Sequence, residues 1–183
     1  MLLYFKYKGT KQLISLVSHN MPLHTLWYLV FQMNEGNILK ATPAEKDWAA
    51  ELMAHSQPWI RLGVSIQQCR DACYDPGNTL YVAHNGDKAA GFIILQPRGV
   101  AGSPYIKSIC INEKFRSQRI GENLIHFAEE LYRPLSKHLF LCVSSFNTRA
   151  QEFYRRLGYV QAGEFKDYIL DGESEILFHK RLR

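Results

Sequence analysis

The stretch ICINEKFRSQRIGENLI, residues 109–125, decides the fold of this chain. Its start belongs to an alternating segment, Tyr105–Asn112, in which Ile109 and Ile111 share one face, as a strand requires. From Arg119 to Tyr132 the spacing becomes helical, with Ile120, Leu124, Phe127, Ala128 and Leu131 on one stripe. A short basic loop with Arg116 and Arg119 joins the two. The first turn of a helix leaves backbone N–H groups unpaired and carries the positive end of the helix dipole. A loop that turns those groups toward one point is an anion cradle. Gly121 lets a ligand approach the backbone there, and a pyrophosphate fits. The same spacing also fits a polar strand–helix loop with two solvated arginines.

A second stretch, NTRAQEFYRRLGY, spans residues 147–159. Asn147 can cap the helix that follows, and Gly158 can end it, with Ala150, Phe153 and Leu157 inward. Tyr154 lies two helical turns beyond Asn147, on the same face. A phenol so placed can protonate a leaving group. It can equally be a core tyrosine with its hydroxyl at the rim.

Working outward, Asn37–Ala41 reads as a strand. Thr42, Pro43 and Glu45 then supply an N-cap, an N1 proline and the reciprocal acid of a capping box. The spacing predicts a helix to about His55, buried through Trp48, Leu52 and Met53, and a second short helix over 65–73. Thr79–His84 and Lys88–Gln96 read as strands joined by an Asn85-Gly86 turn. Pro97–Pro104 reads as a loop and His138–Ser144 as a strand. Tyr159–Leu170 and Ser174–Leu182 form a closing hairpin through Asp171-Gly172. The order β-α-α-β-β-β-α-β-α-β-β, with no repeat or linker, makes one α/β (α+β) domain over about 37–183, a mixed sheet covered by helices.

Of 183 residues, 46% are hydrophobic and 21% charged, which excludes disordered and low-complexity classes. The net charge is +5 and the pI about 9.0, which admits an acidic partner without choosing one. Residues 1–32 carry Lys6, Lys8 and Lys11 and no acid, so +3 of that charge lies there and +2 in the rest. This segment is too interrupted, by His19, Asn20, Pro22 and His24, to be a signal peptide or a membrane span. It is read either as an over-extended start, with Met33 opening the domain, or as an added helix. Cys69, Cys73, Cys110 and Cys142 form no CxxC pair and no zinc-site spacing, so they are expected to be reduced thiols in a cytoplasmic protein without metal.

Together the two stretches resemble the GNAT superfamily of N-acetyltransferases over about residues 37–183. That family's pyrophosphate loop runs Arg/Gln-x-x-Gly-x-Gly/Ala. Here it reads Arg116-Ser117-Gln118-Arg119-Ile120-Gly121, so the first and last positions match and Arg119 replaces the middle glycine. Glu122 departs from the small or hydroxyl residue often found next. An acid there is unfavourable beside a pyrophosphate unless it points away. The loop, the Asn147-to-Tyr154 spacing, Leu157-Gly158-Tyr159 and the final hairpin carry the resemblance jointly.

The resemblance implies a mostly antiparallel sheet with acetyl-CoA lying between splayed parallel strands, 105–112 and 138–144. Backbone of Ile109 and Ile111 would pair with the pantetheine arm, and an amide of Ile109 or Cys110 would polarise the thioester carbonyl. Arg116, Ser117, Gln118, Arg119, Ile120, Gly121 and Glu122 would surround the pyrophosphate, Asn147 the pantetheine. Tyr154 would contact the cofactor and protonate the departing thiolate. A neutral amine would attack directly. The domain would run over 33–183, with a homodimer allowed and neither nucleic acid nor membrane required.

The strand before Asn147 holds no acid, so the base is left open among Glu164, Asp75, Tyr168 and His84. Trp59, Tyr105 and Tyr168 are candidate acceptor-pocket walls, with Glu164, Asp167 and Glu175 to hold a cationic amine. A non-catalytic acyl-CoA-binding module is the alternative. A nucleic-acid or membrane binder rests on pI alone.

Overall fold

A computed structural model describes residues 3–7, 10–14 and 37–183. The chain divides into two units, 1–36 and 37–183. In the first, β1 (Leu3–Tyr7) and β2 (Thr10–Ile14) pair antiparallel, Leu3 opposite Ile14 and Tyr7 opposite Thr10. These residues are therefore strand and not part of an added helix. Otherwise the reading of the 1–32 extension lies outside the described residues.

The second unit begins with β3 (Ile38–Lys40), α1 (Pro43–Ala54) and α2 (Ile66–Tyr74). Then come β4 (Thr79–Asn85), β5 (Lys88–Val100) and β6 (Ser103–Ile111). A 3-10 turn (Glu113–Phe115) leads into α3 (Ile120–Tyr132). The chain closes with β7 (His138–Ser144), α4 (Thr148–Arg156), β8 (Val160–Phe165) and β9 (Glu175–Arg181). The sheet runs β3-β4-β5-β6-β7-β9-β8, antiparallel throughout except between β6 and β7. It is the mixed, mostly antiparallel sheet expected from the sequence.

Both first helices start as their sequences dictate. Thr42 Oγ1 accepts from the Glu45 amide while Glu45 takes the Thr42 amide at 2.8 Å, and Ser65 and Gln68 do the same for α2. One face of the sheet buries Leu80, Val82, Phe92, Ile94 and Cys110 against Ala49, Ala50, Met53, Cys69 and Cys73. The expected stripe on α1 is thus shifted. Ala49 and Ala50 let the helix lie close to the sheet, and Trp48 and Leu52 flank it half-buried. On α3, Leu124, Ile125, Phe127, Ala128 and Tyr132 are buried, and Phe127 meets Tyr81 edge-on at 4.7 Å.

Three turns differ from expectation. The β4–β5 loop is Gly86-Asp87, one residue late, because a bulge at Ala83/His84 shifts the register so that Asn85 pairs Lys88. Pro97–Pro104 is no loop. The strands continue through an irregularity to a turn at Ala101-Gly102, with Val100 opposite Ser103. The last hairpin is shorter, its strands ending at Phe165 and resuming at Glu175. All four cysteines are free thiols.

Candidate functional site

The sheet opens between its two parallel strands. β6 and β7 pair only at Tyr105–Phe140 and Ile106–Leu141. One residue later β6 carries an extra residue, since Leu95 faces Ile106 but Ile94 faces Ser108, leaving Lys107 unmatched. Such a bulge bends its strand, and beyond it β6 runs on to Ile111 without β7. Gly91 lies opposite Ile111, where an added Cβ would stand 2.6 Å from Ile111 Cδ1, so β5 holds the diverging end closely.

A cavity of about 900 Å³ fills the splay. Ile109, Cys110 and Ile111 line one side, Cys142, Val143 and Ser144 the other. The side chain of Cys110 turns into the core between sheet and α1–α2. Among the loop residues, Arg116, Ser117, Arg119, Ile120, Gly121 and Glu122 reach the cavity. Gln118 does not, because its amide oxygen accepts from Asn85 Nδ2 at 2.9 Å and holds it to the β4–β5 turn.

The loop backbone is unusual. Ser117 (φ 63°) and Arg119 (φ 60°) both occupy the left-handed region. Non-glycine residues enter it at a cost of about 1–2 kcal/mol. Arg119, which stands where the resemblance implies a glycine, thus has a backbone conformation that glycine adopts readily. It is also the N-cap of α3, and no side chain caps that helix. The first intrahelical bond runs from the Asn123 amide to the Arg119 carbonyl at 2.9 Å, which leaves the amides of Ile120, Gly121 and Glu122 ahead of it. Among the described residues the other three α-helices each receive a side-chain cap, from Thr42, Ser65 and Asn147. The uncapped amides and dipole end of α3 open on the cavity, the arrangement that holds an anion. Around them Arg116 pairs Glu113 at 2.9 Å and Arg119 pairs Glu122 at 3.1 Å, all near the surface. Glu122 is thus drawn to Arg119, with His126 Nε2 3.8 Å away. At Gly121 an added Cβ would make only ordinary contacts, 3.6 Å to Ile111 and Phe153, so the protein itself leaves that side open.

Helix α4 supplies the opposite rim. Asn147 Oδ1 accepts from the Ala150 amide at 3.2 Å, and both Asn147 and Tyr154 line the cavity. Tyr154 is 6% exposed, and burial alone pushes its phenol well above the ordinary tyrosine range, so it keeps its proton. The buried line of α4 is Gln151 and Tyr154 rather than Ala150, Phe153 and Leu157. Ala150 and Phe153 instead face the cavity, and Gln151 Nε2 donates to the Ser145 carbonyl at 2.8 Å. Arg149 and Arg156, one face of α4 apart by two turns, also line it. Neither is singled out by the sequence, where two arginines seven residues apart carry no signal beyond their charge.

Of the six residues offered for the acceptor side, Trp59, Tyr105 and Glu175 line the cavity. Burial drives the Tyr105 phenol strongly upward, with Cys142 and Glu175 adding to it. The proposed bases fall elsewhere. His84 Nε2 is bound to Glu45 at 2.7 Å, and Asp75 holds its own turn through the Gly77 amide at 2.7 Å. Glu164, Asp167 and Tyr168 are exposed on or beyond β8 and do not line the cavity, with Asp167 accepting from the Gly172 amide. Among the described residues no cluster of three or more His, Cys, Asp or Glu is placed to hold a metal, and no helix is long and apolar enough to cross a membrane.

Known structures share this architecture. The ribosomal-protein-S18-alanine N-acetyltransferase of Escherichia coli superposes with TM-score 0.64 at 19% identity, covering 79% of this chain and 92% of that one. The aminoglycoside 6'-N-acetyltransferase of Enterococcus faecium gives 0.62 at 18%, covering 80% and 97%. NAA60 of Arabidopsis thaliana, in complex with acetyl-CoA, gives 0.65 at 13%, covering 79% and 97%. At these identities the likeness establishes the fold. No curated protein matches the chain. The sequence profile of the acetyltransferase (GNAT) family matches residues 41–159, well over half the chain and including both the α3 loop and α4. The chain belongs to the GNAT acetyltransferase family.

Proposed function

We propose that this protein transfers the acetyl group of acetyl-CoA to a primary amine, of a small molecule or a protein N-terminus, by direct attack while both substrates are bound. One observation carries the reading. The uncapped start of α3, preceded by two left-handed residues, opens on the same cavity as the protonated Tyr154.

The residues then divide the work. Amides of Ile120, Gly121 and Glu122, with the Ser117–Arg119 turn and the Arg116 and Arg119 guanidiniums, hold the pyrophosphate. Gln118 contributes backbone only. Ile109 and Ile111 offer main chain to the pantetheine amides as an added strand would. A β6 amide, of Ile109 or Cys110, polarises the carbonyl oxygen, and Asn147 lies along the pantetheine. Tyr154 gives its proton to the sulfur as the C–S bond breaks. Holding both substrates in one cavity supplies much of the rate. No residue here needs a metal for these roles. The acting domain is proposed as residues 33–183, alone or as a homodimer. Its four free thiols support a cytoplasmic setting.

The test is thiol release from acetyl-CoA with a panel of small amines and peptides. Wild type is expected to turn over at least one acceptor. Tyr154→Phe is expected to bind acetyl-CoA equally well and lose about 100-fold in kcat, the lower end of the range for a general acid. Tight binding with no turnover on any acceptor would favour a non-catalytic acyl-CoA-binding module instead.

A further inference from the structure

Glu175 is the buried acid of the cavity. It opens β9, pairs with Ser144 at the end of β7, and is 8% exposed. Its carboxylate accepts a hydrogen bond from Ser144 Oγ. Among the described residues no Lys, Arg or His pairs with it. Glu173, two residues back, is taken up by Arg61 and by Ser145 Oγ at 2.8 Å. The other titratable groups facing Glu175 are Tyr105 and Cys142, and burial raises both, so they stay neutral in the working range.

Its position in the sheet matters. Cross-strand partners share a face, and so do residues two apart. Cys142, Ser144 and Glu175 therefore project to one side, with Tyr105, the neighbour of Phe140. Lys180, five residues along β9, projects to the other. There its ammonium lies 5.7 Å from the Tyr159 ring, which Tyr154 meets edge-on at 5.9 Å. The cleft thus has a protonated phenol on one side and an unpaired carboxylate on the other. A buried carboxylate without a cation is costly. A cation brought by a ligand offsets that cost.

Resting on the acetyltransferase reading, we propose that Glu175 receives the acceptor's primary ammonium group and is the general base that takes its proton. The resulting amine lone pair forms the C–N bond as the C–S bond breaks. Of the three ammonium hydrogens, one goes to Glu175 and on to solvent and one stays on the amide. The third replaces the proton that Tyr154 gives to sulfur. Burial raises the proton affinity of Glu175 above the ordinary carboxylate range, against the Ser144 hydrogen bond, which suits it to this transfer. The acceptor class that follows is a primary amine on a body small or slender enough to pass Trp59 and Tyr105.

The experiment compares wild type with Glu175→Gln for acetyl-CoA binding, thermal stability and kcat/KM. The panel is a monoamine, a polyamine, an aminoglycoside and a short peptide, from pH 5.5 to 9.5. The variant is expected to keep its acetyl-CoA Kd, lose about 100-fold in kcat/KM at pH 7, and lose the acid limb of the wild-type profile. Its melting temperature should not fall at pH 7, since Gln can keep the Ser144 contact without a buried charge. Activity within about threefold of wild type with the same pH profile overturns the proposal and leaves the transfer reading intact. So does a loss of rate that tracks a loss of stability with the acid limb retained. Wild type that binds acetyl-CoA but acetylates nothing overturns both.

Discussion

At the residue scale the most informative position is Arg119. Its φ of 60° is that of a residue where glycine is at ease, yet the side chain is arginine. Two properties of the residue can be separated by substitution. Arg119→Ala removes the charge and keeps the strained backbone. Arg119→Gly removes the charge and relieves the strain, less the larger entropy that glycine loses on folding. The glycine variant is expected to be more stable than the alanine variant by about 1 kcal/mol, read by denaturant unfolding. The ion pair to Glu122 matters little to either, because Arg119 is 78% exposed. Both variants should weaken acetyl-CoA binding by similar factors if the guanidinium contacts phosphate. Equal stability of the two would mean that the loop relaxes without strain. The sequence showed that this residue was out of pattern. It did not show that the backbone keeps the glycine-like conformation regardless, because that follows from how the 3-10 turn and α3 meet.

At the element scale, the four α-helices of residues 37–183 divide into three with a side-chain cap and one without. Thr42, Ser65 and Asn147 cap α1, α2 and α4 with their side chains, and α3 has none. The first cap can be weakened with no effect on the site. Thr42→Ala is expected to cost about 1 kcal/mol of stability while acetyl-CoA affinity stays unchanged. Its partner Glu45 adds a pH dependence. Burial acts to raise its carboxyl, but the Thr42 amide and hydroxyl and His84 outweigh this and hold it below the ordinary value. A depressed carboxyl stabilises the fold above its unfolded pKa and loses that contribution as pH falls through the folded one. Wild type should therefore lose more stability than Thr42→Ala between about pH 5 and pH 3, seen in melting curves across that range. Caps of this kind were legible, because a hydroxyl followed three residues later by Glu is a local signal. The splay was expected only through the family resemblance, because no local pattern announces an unmatched Lys107 or a two-pair contact between β6 and β7. The buried line of α4 was misread for a related reason. Apolar Ala150 and Phe153 were assigned to the core, yet they line a cavity, while polar Gln151 is buried because it ties down the end of β7.

At the scale of the whole molecule, the sheet is two antiparallel halves, β3–β6 and β7–β9–β8, joined by two residue pairs. Such a seam gives the cleft its room, so other contacts must hold the halves together. One runs from α3, which packs on the first half, to β9 in the second. Lys180 Nζ donates to both oxygens of Glu129, at 2.9 and 2.8 Å, with Glu129 only 2% exposed. His126 Nδ1 lies 3.5 Å from the same carboxylate and offers a weaker second partner. Neither Lys180 nor Glu129 lines the cavity. Removing the cation alone strands a buried charge. Lys180→Met is therefore expected to cost about 3–5 kcal/mol, a large part of the roughly 5–15 kcal/mol of an ordinary domain. Removing both charges strands nothing, so Glu129→Leu with Lys180→Met should regain most of that loss. A double-mutant cycle by denaturant unfolding measures the coupling, and acetyl-CoA titration of the double variant reads the cleft. Recovered stability with unchanged Kd would mean that packing can replace the ion pair as the tie between the halves. Recovered stability with weakened binding would mean that the ion pair also sets how far the two halves stand apart. A double variant no more stable than Lys180→Met would show that the two charges do not act as a pair.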